Sequence, residues 1–288
     1  MAKRPEPPPT WWRLLANPEP QPGSWQMAVD EAILHEVGAR RSPPTVRLYR
    51  WARPTLSLGA YQPASAVDWV RIAERGYDVV RRPSGGRAVL HDAELTYSVI
   101  LPEELPGLPA GILPSYRYLS QALLAGLAEL GVKVAVHHGA PPTPASSACF
   151  ATPSWYELLA DGRKLVGSAQ VRRFGGLLQH GSILLELDEE ALFSVLAFDS
   201  EPARQRARER FRRHATALDR VLRRKVEWNE VAEALVNGFE SALGIRLLPG
   251  SLLPREEALA RVLAEGKYST DGWTRARQDP FREREGQW

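Results

Sequence analysis

The chain has 288 residues, of which 44% are hydrophobic and 25% are charged, enough to bury a full core as one large domain or two small ones. Its net charge of +3 favours acidic partners without requiring them. The single cysteine, Cys149, excludes an internal disulfide framework and a cysteine-rich metal site, and it fits a reducing compartment. Residues 1–10 form a Pro-rich tail without an apolar run, so we expect a disordered tail and neither a signal peptide nor a membrane span.

Hydrophobic periodicity predicts alternating strands and helices along most of the chain. The predicted strands are 11–15, 45–51, 55–59, 77–80, 94–100, 156–160, 163–171, 177–187 and 244–248. The predicted helices are 24–37 with Ser24 as its N-cap, about 67–75, 116–130, 228–243 and 254–264. Gly76, Gly131 and Gly244 follow three of these helices, as C-terminal glycines commonly do.

The central feature is a loop over residues 81–92, between the predicted strands 77–80 and 94–100. Its glycine pair, Gly85-Gly86, allows a positive φ and a close approach of the backbone to a ligand, and the flanking arginines supply positive charge. Such a loop suits a carboxyl, thioester or phosphate end. The alternative is an ordinary Gly-Gly hairpin with solvated arginines. No helix begins after it, so it is not a dinucleotide-binding fingerprint.

A second feature is the low-complexity loop 139–153, which carries Cys149 near its end. A cysteine kept for packing is normally inside a helix or strand, whereas loops on a rigid scaffold often carry catalytic groups. Cys149 is therefore a candidate nucleophile, and a packing role stays open. His137 and His138 lie just upstream, and we interpret them as strand-end residues because no third metal ligand has a usable spacing.

A third feature is the lysine on the strand that follows the Asp161-Gly162 turn. Strict alternation places Lys164 on the face of Ser168 and Gln170, away from the core. A solvated surface lysine is the commoner fate. However, only five of the 37 basic residues are lysines, which favours lysine where a compact ammonium is needed.

These three features, in this order, resemble the biotin/lipoate protein ligase superfamily, and within it the octanoyltransferase branch. The resemblance covers about residues 12–273. It implies an α+β fold with a mixed, largely antiparallel sheet flanked by helices, in one catalytic domain over 11–288 with a helical C-terminal flank from about 189. It also implies that Cys149 is the nucleophile and that Lys164 is the catalytic strand lysine, which would favour the thiolate.

The resemblance further implies a set of substrate-binding residues around the Gly-Gly loop and the strand lysine. These are Arg81, Arg82, Ser84, Gly85, Gly86, Arg87, Ala88, His91, Gly167, Ser168 and His180. His91 and His180 could each serve as a general base for an acceptor amine, or could be hydrogen-bonded structural groups. No cofactor and no metal are implied.

The implied donor is octanoyl-acyl carrier protein. The implied acceptor is a lipoyl-accepting protein, such as the glycine-cleavage H protein or a 2-oxoacid dehydrogenase lipoyl domain. We expect a cytoplasmic monomer that binds no nucleic acid and no membrane. The arginine-rich stretch 204–213 could bind nucleic acid, but it has only Phe211 as an aromatic; a solvated helix or a docking surface for acidic carrier domains is the alternative.

Two other functions remain open. An ATP-dependent lipoate ligase usually has a third glycine where this chain has Arg87, and it lacks a cysteine in the loop before the lysine hairpin. A non-catalytic lipoyl-domain or acyl binding protein has no need for Cys149 and Lys164. The rate of thiol alkylation distinguishes this last alternative, because a buried, inert cysteine favours the binding protein.

Overall fold

Two β-sheets of unequal size form the framework of the computed structural model, which describes residues 10–138 and 155–281. The strands are β1 (Trp11–Gln21), β2 (Thr45–Trp51), β3 (Thr55–Leu58), β4 (Asp78–Arg81), β5 (Val89–His91), β6 (Glu94–Pro102), β7 (Val134–His138), β8 (Trp155–Ala160), β9 (Arg163–Arg173), β10 (Gly176–Leu184) and β11 (Arg246–Pro249). The larger sheet has the order β11-β1-β2-β6-β10-β9-β8-β7, and the smaller one has the order β4-β3-β5. In the larger sheet β1 is parallel to β2 and β11, and the other pairs are antiparallel. The predicted mixed, largely antiparallel α+β fold is therefore confirmed.

Helices cover both faces of the larger sheet. They are α1 (Gly23–Gly38), α2 (Trp69–Arg75), α3 (Ile112–Glu129), α4 (Glu189–Ser194), α5 (Glu201–His214), α6 (Leu218–Leu222), α7 (Trp228–Leu243), α8 (Pro254–Leu263) and α9 (Asp271–Thr274), with a π-helical turn at Ala264–Tyr268. Alternation along β6 explains the two layers: Tyr97 and Val99 belong to the core that also contains residues of α3 and α7, whereas Ile100 belongs to the core under α1 and α8. A third core joins the smaller sheet to α4 and α5.

Helix α1 is buried along almost its whole length, and it begins at Gly23 after Pro22 without a side-chain cap. The predicted N-cap at Ser24 is therefore wrong. The start of the helix instead packs closely on the sheets, since a Cβ on Gly23 would lie 2.8 Å from Thr55 Cγ2. The buried Asp30 and Glu31 of this helix are each held by a cation, Arg47 and Lys267 respectively.

The strands predicted on either side of the loop 81–92 are present, but they do not pair with each other, so the alternative of an ordinary Gly-Gly hairpin is wrong. β4 pairs with β3 in the smaller sheet, whereas β6 belongs to the larger sheet. Between them β5 forms an additional strand antiparallel to β3. Residues 82–88 therefore connect the two outer strands of the smaller sheet and cross the end of β3.

Among the predicted element boundaries, the end of β1 and the start of α3 shift the most. β1 continues to Gln21 instead of ending at residue 15, and its pairing with β2 becomes irregular between Asn17 and Gln21, where Pro18 and Pro20 cannot donate a ladder hydrogen bond. Helix α3 begins at Ile112, four residues before the predicted start. Within residues 10–138 and 155–281, no helix combines the length and the apolar character needed to cross a membrane.

Candidate active site

A cavity of about 370 Å³ lies between the two sheets, next to α1 and α3. Its size is within the roughly 300–1,000 Å³ usual for small-molecule pockets. The described lining residues are Met27, Tyr49, Trp51, Ser57, Arg82, Gly85, Gly86, Arg87, Val89, His91, Thr96, Ile112, Leu113, Tyr116, Gly167, Ser168, Ala169, Gln170, His180, Gly181 and Ser182. The lining runs from Ile112, which is 65% exposed, to Met27 and Tyr49, which are 2% and 1% exposed. The cavity thus extends from the surface into the core and has an apolar floor suited to a hydrocarbon chain.

Gly85 and Gly86 form part of the cavity wall, and only Gly86 requires glycine. Its φ is +97°, and a Cβ there would lie 2.7 Å from Arg82 Nη2. Gly59 is equally restricted, because its Cβ would lie 2.0 Å from the carbonyl oxygen of Gly86. By contrast, a Cβ on Gly85 would meet nothing closer than a Tyr61 ring carbon at 4.0 Å.

The adjacent arginines Arg81 and Arg82 have different positions. Arg82 lines the cavity, and its guanidinium donates to the carbonyl oxygens of Gly85 at 2.9 Å, Arg87 at 2.8 Å and Ser57 at 3.1 Å. It therefore fixes the loop's shape by satisfying backbone acceptors.

Arg81 is fully buried and lies behind the wall. It donates to the carbonyl oxygens of Gly59 and Gln62, each at 2.7 Å, and of Thr274 at 2.8 Å. Burial, ahead of the nearby charges of Arg277 and Arg82, lowers the pKa of Arg81 to about 10, which leaves it charged at neutral pH. Arg81 therefore connects the Gly-Gly loop to the C-terminal helix α9.

His91 lines the cavity within a network of buried hydroxyls. Its Nε2 lies 2.7 Å from Ser57 Oγ, its Nδ1 lies 2.7 Å from Glu94 Oε1, and its ring stacks on Trp51 at 4.1 Å between centroids. Ser182 Oγ donates to the same Glu94 oxygen at 2.9 Å. Because both ring nitrogens are engaged, this arrangement favours the structural interpretation of His91.

His180 is held in the same way from β10. Its Nε2 is 2.5 Å from Ser84 Oγ, and its Nδ1 is 3.3 Å from Asp30 Oδ2. Burial lowers the pKa of His180, opposed by its hydrogen bond and attraction to Asp30. Burial alone would raise the pKa of Asp30, but the charge of Arg47 and the bonds from His180 and Ser98 lower it instead.

Ser84 and Ala88 are both fully buried and lie outside the cavity lining. Ser84 reaches the site through His180, and Ala88 packs in the core of the smaller sheet. Ser84 and Ala88 therefore support the cavity wall and do not themselves face the cavity.

Lys164 is 3% exposed on β9, and its backbone oxygen accepts from the N–H of Thr216 at 2.9 Å. The pairing of β8 with β9 shifts register between Leu158 and Leu159, so β9 carries an extra residue there. Its consecutive residues Leu165 and Val166 both belong to the core under α3 and α7.

Alternation is broken at this bulge, and the prediction that Lys164 shares the face of Ser168 and Gln170 is wrong. Counting through the bulge places Lys164 on the face of Gly167 and Ala169, two cavity residues. Gly167 and Ser168 both line the cavity, and they pair with Ser182 and Gly181 of β10. A Cβ on Gly181 would lie 2.3 Å from the Gly167 carbonyl oxygen, so the backbones here are closely packed.

Cys149 lies outside the described residues. The chain on either side is in the larger sheet: His138 at the end of β7 pairs with Trp155 at the start of β8, and β8 is the neighbour of β9. The tail 1–9 is likewise outside the described residues.

The sequence interpretation missed the residues that hold the site: Asp30, Ser57, Glu94, Thr96 and Ser182. A signal for some of them exists, since Thr96, Ser98 and Ser182 are hydroxyl residues at alternate positions of otherwise apolar strands. Among the residues that the structure describes, no group of three or more His, Cys, Asp or Glu side chains is arranged to hold a metal ion.

The fold and the cavity together define a protein of the lipoate protein ligase type. A chain from an archaeal lipoylation system of Thermoplasma acidophilum, described as a bi-partite lipoate protein ligase and its E2 lipoyl domain, superposes with a TM-score of 0.77 at 27% identity, covering 92% of this chain and 96% of that one. A lipoate-protein ligase A bound with ATP gives a TM-score of 0.75 at 28% identity, with 92% and 98% coverage.

The chain belongs to the lipoyl protein ligase A/B catalytic domain family, whose model matches residues 22–240. It is 47% identical over 271 residues to octanoyltransferase LipM of Kyrpidia tusciae, covering 91% of this chain and 97% of the relative. It is 40% identical over 272 residues to octanoyltransferase LipM of Bacillus subtilis, with the same coverage.

Proposed function

We propose that this chain is an octanoyltransferase that moves an octanoyl group from octanoyl-acyl carrier protein to a lysine of a lipoyl-accepting protein. The observation that carries the proposal is the cavity. Its apolar floor suits an acyl chain, and its wall contains the Gly-Gly loop and the backbone of Gly167 and Ser168, on the strand that bears Lys164. Relatives at 40–47% identity over about nine-tenths of the chain are named octanoyltransferases, which supports the same reaction.

We assign the nucleophile to Cys149. Its thiolate attacks the thioester carbonyl, the bond from that carbon to the carrier's phosphopantetheine sulfur breaks, and the leaving thiolate takes up a proton. The octanoyl group is then held as a thioester of Cys149. In the second half-reaction the neutral ε-amine of the acceptor attacks the same carbonyl, the Cys149 thiolate leaves, and the amide nitrogen loses its extra proton.

The position of Lys164 supports this assignment. Trp155, where the chain re-enters the sheet, is four residues along β8 from Leu159, the pairing partner of Lys164. At about 3.3 Å per residue this separation is about 13 Å. The six residues from Cys149 to Trp155 can span up to roughly 20 Å, so the thiol can reach the lysine.

Lys164 then has an electrostatic role. An unperturbed thiol, with a pKa of about 8.5, is only a few per cent ionised at neutral pH, and a nearby ammonium favours the thiolate. His91 and His180 are positioning residues in this proposal, because each is held at both ring nitrogens.

The second candidate is an ATP-dependent lipoate ligase, which the likeness to a ligase A bound with ATP raises. A ligase must activate a free carboxylate, whereas a thioester donor already carries that activation. Arg87 in the Gly-Gly loop and Cys149 both favour the transferase.

The test is a transfer assay with a glycine-cleavage H protein or a 2-oxoacid dehydrogenase lipoyl domain as acceptor. Octanoyl-acyl carrier protein without nucleotide should modify the acceptor, and Cys149→Ser should abolish the transfer. Modification by free octanoate or lipoate that appears only with Mg-ATP would assign the chain to the ligases. We propose in addition that the enzyme is cytoplasmic and monomeric and that it uses no cofactor.

A further inference from the structure

Helix α5 carries six arginines, and they fall on two different flanks of the helix. At 100° per residue, Ala203, Ala207 and Phe211 face inward, where Ala207 and Phe211 pack in the core of the smaller sheet. Arg204, Arg208 and Arg212 then lie on one side of this buried stripe. Arg206, Arg210 and Arg213 lie on the other side.

The first flank is neutralised by acidic neighbours. Arg204 pairs with Glu201 at 2.5 Å, Arg208 with Glu190 at 3.2 Å, and Arg212 with Glu189 at 3.4 Å. Arg208 and Arg212 therefore connect α5 to the adjacent helix α4, whereas Arg204 pairs within α5.

The second flank, which we call the arginine stripe, consists of Arg206, Arg210 and Arg213. None of the three forms an ion pair with a carboxylate in the parts of the chain that the structure describes, and Glu209, the acidic residue nearest to them on the helix, forms none either. Arg206 and Arg213 are exposed. Three arginines and one carboxylate, Glu209, lie within two helical turns, so this flank keeps a net positive charge.

The arginine stripe leads to the proposed site. Helix α5 ends at His214, Ala215 forms an isolated bridge with Lys164, and the Thr216 N–H donates to the Lys164 carbonyl oxygen at 2.9 Å. Arg213 is three residues from that hydrogen bond, which corresponds to at most about 10 Å of chain.

We propose that the arginine stripe is the docking surface for the carrier protein that delivers the acyl thioester, through acidic side chains on that carrier. This inference rests on the proposed function, which requires a macromolecular donor to approach the strand that bears Lys164. Exposed interface charges mainly accelerate and orient such an encounter, so the effect belongs to donor binding rather than to the chemical step.

The donor fits this surface better than the acceptor does. The donor's prosthetic arm carries a phosphodiester, whose negative charge is attracted to arginines beside the site. The acceptor presents a lysine ammonium, which the same arginines repel at short range.

Direct binding tests the docking surface independently of catalysis. Arg206→Glu/Arg213→Glu should raise the Kd for apo-acyl carrier protein by at least about tenfold at low ionic strength, and the difference should shrink at about 0.5 M salt, where the screening length is only a few ångströms. Arg246→Glu is the control for the change of charge. Its Kd for the carrier should stay near that of wild type, whereas Arg213→Glu, which makes the same change of charge within the stripe, should raise the Kd. Arg246 is exposed on β11, five strands from β9, or about 24 Å across the sheet.

Kinetics then separates docking from chemistry. In the double variant, kcat/KM should fall with octanoyl-acyl carrier protein and stay within about twofold of wild type with octanoyl-pantetheine, a donor with neither a protein surface nor a phosphate. An unchanged Kd for the carrier overturns the inference even if transfer proceeds. A loss confined to the KM or Kd for the lipoyl-accepting protein overturns it as well, because the stripe would then serve the acceptor. Failure of the wild type to transfer from either donor would contradict the proposed function, whereas the carrier Kd would still decide the docking surface.

Discussion

At the scale of single residues, Lys164 is buried, whereas its position in the sequence predicted a lysine on the polar face of the strand, away from the core. A lysine that is 3% exposed loses most of its hydration, and polar or charged partners must compensate that cost. Its place on the strand face of Gly167 and Ala169, two cavity residues, accords with the electrostatic role proposed for it.

Removing the Lys164 ammonium should therefore raise the pKa of the Cys149 thiol, because an opposite charge near the thiolate is lost. Lys164→Ala should slow alkylation by iodoacetamide at neutral pH much more than at pH 9.5. Lys164→Arg should restore part of the thiolate and little of the transfer, because a planar fork replaces a compact ammonium.

The measurement is the pH profile of alkylation for wild type and both variants, with circular dichroism as the folding control. Superimposable profiles would mean that Lys164 does not tune the thiol.

His180 gives a prediction about stability. Burial lowers its pKa in the folded state, so below the ordinary histidine pKa of about 6.5 the unfolded chain binds a proton that the folded chain does not. The free energy of unfolding should fall as the pH drops from 7 to 5, by up to about 1.4 kcal/mol per pH unit from this residue.

His180→Gln should flatten this dependence, because glutamine does not titrate. The other histidines contribute to both proteins and cancel in the difference. Urea unfolding at several pH values measures it, and equal slopes for the two proteins would show that His180 is not held neutral. Asp30 does not interfere in this window, since its pKa is lowered and its titration lies below pH 4.

At the scale of elements, the Gly-Gly loop depends on one of its glycines far more than on the other. Gly86→Ala would place a Cβ at φ +97° and 2.7 Å from Arg82 Nη2. We expect a loss of about 1–3 kcal/mol in unfolding free energy and slower transfer, because Arg82 also holds the loop's carbonyl groups.

Gly85→Ala is the matched control, since its Cβ has 4.0 Å of room. It should leave the thermal midpoint nearly unchanged. Equal midpoints for the two variants would contradict the assigned roles.

Helix bounds could be predicted from the sequence, whereas the face of a strand residue and the pairing of strands could not. Helix α7 was predicted at its observed bounds and α8 within one residue, because each has a clear apolar face and a defined end. The face of Lys164 was wrong because one extra residue in β9 reverses the alternation, and a bulge leaves no mark in a period-2 count. An ordinary hairpin at residues 81–92 stayed open as an alternative, because periodicity predicts strands and not the sheet in which each one pairs.

The site could be predicted only where it uses distinctive residues. Gly86 and Lys164 stand out in the sequence, whereas Asp30 and Glu31 look like the polar side of an ordinary helix. Both lie in α1, which is buried all round, and their partners Arg47 and Lys267 are far away in the chain. Such long-range pairs become visible only once the chain is folded.

At the scale of the whole molecule, the C-terminal segment 264–281 contributes to the site, although it lies beyond the region 22–240 that the family model matches. Lys267, which is fully buried, donates to Glu31 at 2.9 Å and to Asp279 at 2.7 Å, and Trp273 Nε1 donates to the Arg81 carbonyl oxygen at 2.8 Å. These contacts attach the segment to α1 and to the Gly-Gly loop. The loop's geometry is therefore a property of the complete fold.

The central claim is that the acyl group passes through Cys149 without activation by nucleotide. Incubation with octanoyl-acyl carrier protein in the absence of ATP, followed by intact-mass measurement, tests it most directly. We predict a gain of one octanoyl group that hydroxylamine removes and that Cys149→Ser lacks. A wild-type protein that transfers octanoyl to the acceptor and never carries the group itself would contradict the account.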